Sequence, residues 1–441
     1  MLTFDELRRR EFARLDRMDH VYLDYTGSAL YGASQLRAQQ QLLESGLFGN
    51  PHSDSVPSRA STAIIEAARE RVLRFLGVDA TTHDVIFTAN TSAAIKLVAE
   101  SYPFTRDSAL LLSSDNHNSV NGVREYAKRA GARVRYLPLD DELRLANAES
   151  IVAEESKRSG GLLAFPAQSN FSGVRHPLSL VDHAHGHGFD VLLDIAALAP
   201  SQAISLRDCP ADFAALSFYK LFGYPTGLGA LIARREALAK LRRPWFAGGT
   251  VLYASTAVDT HRLHPRHEAF EDGTPNFLGI AALHAGFDLL EEVQLPRIGA
   301  HVAALTRTLL EALSSMPHVR LYGPRTACAR GGAIAFNVCD ENGTAMPFAR
   351  IEARASAAGI SLRGGCFCNP GASEAAFGLD ADRVDRCLTS LGDAFTVDRF
   401  AECTGKPVGA LRASIGMANN LRDVNRLIEL IATTNERRFT S

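Results

Sequence analysis

No stretch of this 441-residue chain runs 18 apolar residues without a break, and residues 1–17 alternate acids with arginines where a signal peptide would need an apolar core. No membrane span and no leader are expected, and the location expected is cytoplasmic. Cysteine is sparse and odd in number, seven in all, far below the density of a disulfide-stapled scaffold. Free thiols in a reducing compartment are therefore expected, and any conspicuous cysteine should be reactive or buried. Neither sign of charge is in excess: 47 Lys and Arg against 49 Asp and Glu leave a formal −2, which gives nucleic acid or an anionic membrane no electrostatic footing. Repeats, low-complexity segments and long Pro/Gly/Ser linkers are lacking too. A length of 441 with 46% hydrophobic and 22% charged residues describes two closely packed domains suited to small-molecule chemistry.

Thr3-Phe4-Asp5-Glu6 has the form of a capping box and predicts a first helix to about Asp16, read as an arm. Ile64, Ala68, Val72 and Phe75 recur at helical spacing, with Gly77 as the stop, and predict a helix over Ser58 to Leu76. Seven short apolar runs follow, at Val85 to Phe87, Leu110 to Leu112, Val134 to Leu137, Leu162 to Phe165, Val191 to Leu193, Phe213 to Leu216 and Ala230 to Ile232. Separated mostly by helix-like or loop segments, they read as βα units of a mainly parallel seven-stranded sheet covered on both faces, an α/β fold. From about Phe277 the pattern changes to long helices, 278–292 and 298–314, and single strands near Val319, Ile334 to Val338 and Leu411 to Ser414. That is a smaller α+β domain, and ligand chemistry is expected where the two meet, at the carboxyl ends of the large sheet's strands.

Lys220 lies just there, in Ser217-Phe218-Tyr219-Lys220-Leu221-Phe222-Gly223, after an apolar strand and before a glycine-rich turn. A poorly solvated lysine favours the neutral amine, the form that attacks an aldehyde such as that of pyridoxal phosphate. The plain alternative is an exposed lysine, and the neighbours decide between the two. Asp194 ends the run 189–193, where a carboxylate could bond a protonated pyridine nitrogen or simply cap a turn. Thr88 to Ala94 put small hydroxyl residues at a strand-to-helix junction, which suits a phosphate or an ordinary N-cap. His117, after the next strand, reaches the same sheet edge and could stack on a ring or move a proton.

Gly364-Gly365-Cys366-Phe367-Cys368-Asn369-Pro370-Gly371 reads as a loop with two thiols two residues apart. A zinc site lacks its other ligands, since Cys387 and Cys403 show no CxxC spacing, and no metal is expected. A buried structural pair is the bland alternative. A nucleophilic thiolate on a mobile glycine-flanked loop fits best, and nearby Arg363 could lower a thiol pKa or bind substrate. His183, His185 and His187 read as a helix end, and His261, His264 and His267 as a rim or surface loop. Arg175 is an anion contact or a structural arginine.

Several strings together resemble one family: Tyr22-Leu23-Asp24, Gly49 to Ser53, Phe165 to Arg175, Ser217 to Lys220, Phe270 to Thr274 and Arg363 to Asn369. Across nearly its whole length the chain is similar to the fold-type I, class V aminotransferase-like cysteine desulfurases, most closely the amino-terminal domain of eukaryotic molybdenum cofactor sulfurases. The resemblance implies a large pyridoxal-phosphate-binding domain over 20–290 and a small domain from 1–19 with 291–441. It implies Lys220 as the Schiff-base lysine, Asp194 on the pyridine nitrogen, His117 stacked on the ring, and Asn170 on the ring-hydroxyl side. Thr91, Ser92 and Ser217 would hold the phosphate, with Thr274 arriving from a second subunit of a homodimer. Arg412 would grip the carboxylate of L-cysteine with Arg363 nearby, Cys368 would carry the persulfide, and Cys366 would be an accessory thiol. Two positions depart from the desulfurase pattern: Ala197 stands where a glutamine is common, and Tyr219 stands where many relatives have histidine. Tyr219 agrees with the sulfurase branch. The chain ends at Ser441, so the sulfur acceptor is expected to be a separate protein or small molecule. A related C–S lyase or aminotransferase acting on another amino acid is the alternative reading.

Overall fold

The computed structural model describes residues 2–158 and 160–434. All seven predicted runs are strands of one sheet: β1 (His83–Thr88), β2 (Ala109–Ser113), β3 (Arg133–Leu137), β4 (Gly161–Pro166), β5 (Phe189–Asp194), β6 (Phe213–Ser217) and β7 (Gly229–Arg234). They lie in the order β1-β7-β6-β5-β4-β2-β3, and only β7 runs antiparallel to its neighbours. Alternation along the strands explains the two-sided core. Leu111, Leu163, Val191 and Ala214 pack on one face, while Leu110, Leu112, Leu162, Leu192 and Phe213 pack on the other.

The predicted second helix spans Val56–Phe75 and buries Ile65, Ala68 and Val72, a single helical stripe. Helices Phe277–Val293 and Leu295–Ser315 follow. A four-stranded antiparallel sheet comes after them, made of β10 (Val319–Tyr322), β11 (Ala333–Val338), β12 (Arg363–Gly365) and β13 (Ala410–Ser414), in the order β10-β11-β13-β12. Between the sheets lies an exposed hairpin, β8 (Val251–Ser255) and β9 (Thr260–Leu263).

Four expectations change. The N-terminal helix is broken into Phe4–Glu11 and Arg14–Arg17 by a cap at Phe12, although Thr3 and Glu6 form the expected box. It is no free arm: Leu7 and Phe12 are fully buried, and Arg8 Nη1 donates to Asp423 and to the Ala418 carbonyl, each at 2.7 Å. Gly364 and Gly365, read as the start of a loop, belong with Arg363 to a strand, because backbone pairing with 410–412 holds them there. The thiols are not all free. Two amphipathic helices, Ala381–Leu391 and Val397–Thr404, pack with the Cα atoms of Cys387 and Cys403 5.9 Å apart, and these form a disulfide. Among the described residues no helix is long and apolar enough to cross a membrane.

Candidate active site

Because β1, β2, β4, β5 and β6 run parallel, their carboxyl ends share one edge of the sheet, and the antiparallel β7 begins there. Thr91, His117, Asn170, Asp194 and Lys220 each follow or end one of those strands. A cavity of about 320 Å³ opens at this edge, lined by Thr91, Ser92, His117, Asn170, Asp194, Ser217 and Lys220 together with Tyr219 and Ala197. Its size lies at the lower end of the range for small-molecule sites, roughly 300–1,000 Å³.

The Lys220 amine makes no hydrogen bond among the described residues. Burial lowers its pKa, the Asp194 carboxylate opposes that shift, and Arg412 adds to it. Asp194 lines the cavity and accepts the amide N–H of Ala196 on Oδ1 at 3.0 Å, with no hydrogen bond to Oδ2 among the described residues. Burial lowers the His117 pKa, and the neighbouring Lys220 adds to the shift. The His117 Nδ1 accepts the amide N–H of Ser119 at 3.1 Å, so in the neutral ring Nε2 carries the proton. At the start of helix Thr91–Ser101 the Asn90 side chain caps Ala93 N at 3.0 Å. The hydroxyls of Thr91 and Ser217 lie 2.6 Å apart, and those of Ser92 and Ser119 2.5 Å apart. Hydroxyls clustered at a helix N-terminus, an unpartnered amine and an open carboxylate oxygen match the phosphate, aldehyde and ring nitrogen of pyridoxal phosphate.

Arg412, Arg363, Cys366, Cys368 and Thr274 stand outside that wall. Arg412 is 3% exposed. Its Nη1 donates to the Asn170 carbonyl at 2.8 Å and its Nη2 to Asp24 Oδ1 at 2.9 Å, and its guanidinium lies 4.7 Å from the centroid of the Phe367 ring. Arg363 Nη2 donates to the other Asp24 oxygen at 2.9 Å. Burial lowers the Arg412 pKa against the pull of Asp24, whereas the bond to Asp24 raises that of the half-exposed Arg363. Thr274 lines a second cavity that shares Ala89 and Gly227 with the first. Cys366 is half-buried, and Cys368 is exposed.

The cysteine loop, expected to be mobile, is tethered. Asn170 Nδ2 donates to the Phe367 carbonyl and Asn118 N to the Cys368 carbonyl, both at 2.7 Å, while Asn369 caps helix Pro370–Phe377. The Lys220 pKa is raised slightly by Cys368 and Asp24 against the effect of burial. Arg175 meets Gln168 Oε1 at 3.3 Å, and burial lowers its pKa. His185 pairs with Asp212 at 2.7 Å and His183 with the Glu149 carbonyl at 2.9 Å. His261 stacks on Phe246 in the hairpin, and His267 is drawn into a half-buried place beside Asp84.

Sequence reasoning passed over two residues. Asp24 joins both arginines, and Asp115, two residues before His117, is fully buried. Asp24 was present in the string Tyr22-Leu23-Asp24, but its partners are 339 and 388 positions away.

A lysine at the carboxyl edge of a mixed seven-stranded sheet, facing a strand-end carboxylate and a helix N-terminus, is the fold-type I architecture of pyridoxal-phosphate-dependent transferases. The chain belongs to the class-V aminotransferase family, whose model matches residues 21–427. It is 35% identical to the molybdenum cofactor sulfurase of Arabidopsis thaliana over 98% of its own length and 58% of that protein, so it spans somewhat over half of the curated relatives it matches. A cysteine desulfurase from Thermococcus onnurineus NA1 superposes with a TM-score of 0.82 at 24% identity, covering 99% of this chain and 100% of that one. A C-DES variant with glycine covalently linked to its PLP cofactor superposes at 0.73 with 18% identity, over 96% and 98%.

Proposed function

We propose that this chain is a pyridoxal-phosphate-dependent L-cysteine desulfurase that forms a persulfide on Cys368, releases L-alanine and passes the sulfur to an acceptor, as its likeness to molybdenum cofactor sulfurases favours. The observation that carries this reading is the meeting of an unpartnered, desolvated Lys220 amine and the Asp194 carboxylate with the tethered cysteine loop at one sheet edge.

Thr91, Ser92 and Ser217 would hold the phosphate, Asp194 the ring nitrogen, Asn170 the ring-hydroxyl side, and His117 the ring face. Bound there, the cofactor supplies an electron sink for the pair left at the substrate Cα when its proton leaves. The Lys220 amine, whose pKa burial lowers, takes that proton. Arg412 and Arg363 hold the substrate carboxylate, a task suited to a planar guanidinium whose direction Asp24 and the Asn170 carbonyl have set. The Cys368 thiolate attacks the substrate sulfur. The S–S bond forms as the substrate's Cβ–S bond breaks, and the bonding pair goes to carbon, which is then protonated; His117 Nε2 is a proton source facing the cavity. L-cysteine and a thiol become L-alanine and a persulfide with no outside oxidant. Cys366 serves as an accessory thiol.

The division into 20–290 and 1–19 with 291–441 belongs to this reading, as does a homodimer in which Thr274 of a second copy approaches the phosphate end. Exposed Trp245, Leu252, Tyr253 and Val258, at 52%, 62%, 65% and 60%, support such a contact.

The test incubates cofactor-loaded protein with L-cysteine and follows the Cys368 peptide by mass spectrometry and the amino-acid product by chromatography. One added sulfur on Cys368 and alanine are expected. Lys220→Ala should lose the cofactor's bound absorbance, and Cys368→Ala should keep it without forming persulfide. Pyruvate and ammonia as products, or undiminished sulfur delivery by Cys368→Ala, would sink the assignment.

A further inference from the structure

Three strings of the site converge on one buried carboxylate that the chemistry above does not use. Asp115 is fully buried, two residues ahead of His117. Its Oδ1 accepts the Ser169 hydroxyl at 2.8 Å and Asn369 Nδ2 at 2.7 Å, and its Oδ2 lies 2.8 Å from His176 Nε2. Among the described residues it pairs with no lysine or arginine. A carboxylate held this way is costly to bury, and hydrogen bonds must satisfy it nearly completely.

Asn369 is the pivot. Its side chain is fully buried, and its amide nitrogen divides its two hydrogens between Asp115 and Asn170 Oδ1, the latter at 2.9 Å. Its oxygen accepts the amide of Ala372 at 3.2 Å, at the start of helix Pro370–Phe377. No orientation freedom remains. The two preceding residues, Phe367 and Cys368, both sit at φ +55°, left-handed backbone that side-chain-bearing residues adopt only when their surroundings hold them there. Asn170, tied to Asn369 on one side and to the Phe367 carbonyl on the other, lines the cavity itself.

We propose that Asp115 is the positioning residue for the Cys368 thiol. Through Asn369, whose amide is also tied to Asn170, it holds the cysteine loop in its left-handed turn, so that the nucleophile is placed by one buried side chain. This rests on the persulfide reading.

The experiment mixes pyridoxal-phosphate-loaded protein with L-cysteine in a single turnover and times the sulfur adduct on Cys368. Asp115→Ala and Asn369→Ala should each slow it by about tenfold or more, as expected when a reacting group is displaced by a fraction of an ångström to an ångström. Cofactor absorbance and the cysteine concentration giving half the spectral change should stay within about threefold. The double variant should be no slower than the worse single, because the two act in one chain of contacts. Asp115→Asn, which retains an acceptor oxygen for Asn369, should recover most of the rate. Wild-type rates in both alanine variants overturn the proposal, and so does cofactor or cysteine binding lost in step with the adduct, or Asp115→Asn as slow as Asp115→Ala. If Asp115→Ala does not fold, Asn369→Ala carries the decision. If the wild type forms no adduct on Cys368, the desulfurase reading fails first, and the positioning role goes with it.

Discussion

Asp24→Asn separates two ion pairs that share one carboxylate. The side chains of Arg412 and Arg363 are 4% and 51% exposed, and that of Asp24 is 13% exposed. Without the charge on Asp24, the Arg412 guanidinium stays buried with the Asn170 carbonyl and the Phe367 ring as its recorded partners. Removing one member of a buried pair costs about 3–5 kcal/mol, because the other charge is left uncompensated. The Arg363 pair is half in water and should contribute about 0–1 kcal/mol. Asp24→Asn should therefore destabilise by about 3–5 kcal/mol and Arg363→Gln by less than about 1 kcal/mol, read by equilibrium denaturant titration of the two variants beside wild type. Turnover should report the same asymmetry: KM for L-cysteine rises in Asp24→Asn because Arg412 loses the contact that aims it. Equal losses in the two variants, or a cost below about 1 kcal/mol for Asp24→Asn, would refute the division of labour between a buried and an exposed arginine.

Burial, with Arg69 nearby, pushes His267 down to about 3. The unfolded chain binds this proton below about pH 6.5 while the native state does not, so stability falls as pH drops below that value. By pH 5 the share is about 1.5 pH units, or about 2 kcal/mol, and His267→Gln should lose that much less than wild type between pH 7.5 and 5 in parallel denaturant titrations; identical slopes would contradict the assignment. At Gly371 an added Cβ would lie 2.2 Å from the Ser114 carbonyl oxygen, so Gly371→Ala must push helix Pro370–Phe377 off the segment leading to His117. A loss of about 1–3 kcal/mol and slower persulfide formation are expected, and wild-type melting and turnover would show that the contact is not tight.

The inner strands of the large sheet were legible because they are buried on both faces and therefore written as apolar runs, whereas the edge strand Arg133–Leu137, only partly buried, was legible from Val134, Tyr136 and Leu137 beside its arginines. β12 was not, because three residues with two glycines carry no periodicity, and only pairing with β13 makes them a strand. The hairpin β8–β9 faces outward and lacks a buried alternation. Lys220, Asp194 and His117 could be placed because each follows a readable strand. Asp24 and Asp115 could not, since their meaning lies in partners up to 388 and 254 positions away. The bond between Cys387 and Cys403 depends on how two helices stack, which spacing does not encode.

Arg363 and Arg412 face one another directly across β12 and β13, and facing residues of an antiparallel pair project to the same side. Inserting or deleting a single residue in either strand would turn one guanidinium to the opposite face and set a glycine or leucine beside Asp24. Between these two strands a change of length can be absorbed only in their connection, beyond the tethered cysteine loop, where the helices joined by Cys387 and Cys403 lie. An arginine lost from one strand cannot be restored by its neighbour in sequence, only by a substitution at the same rung.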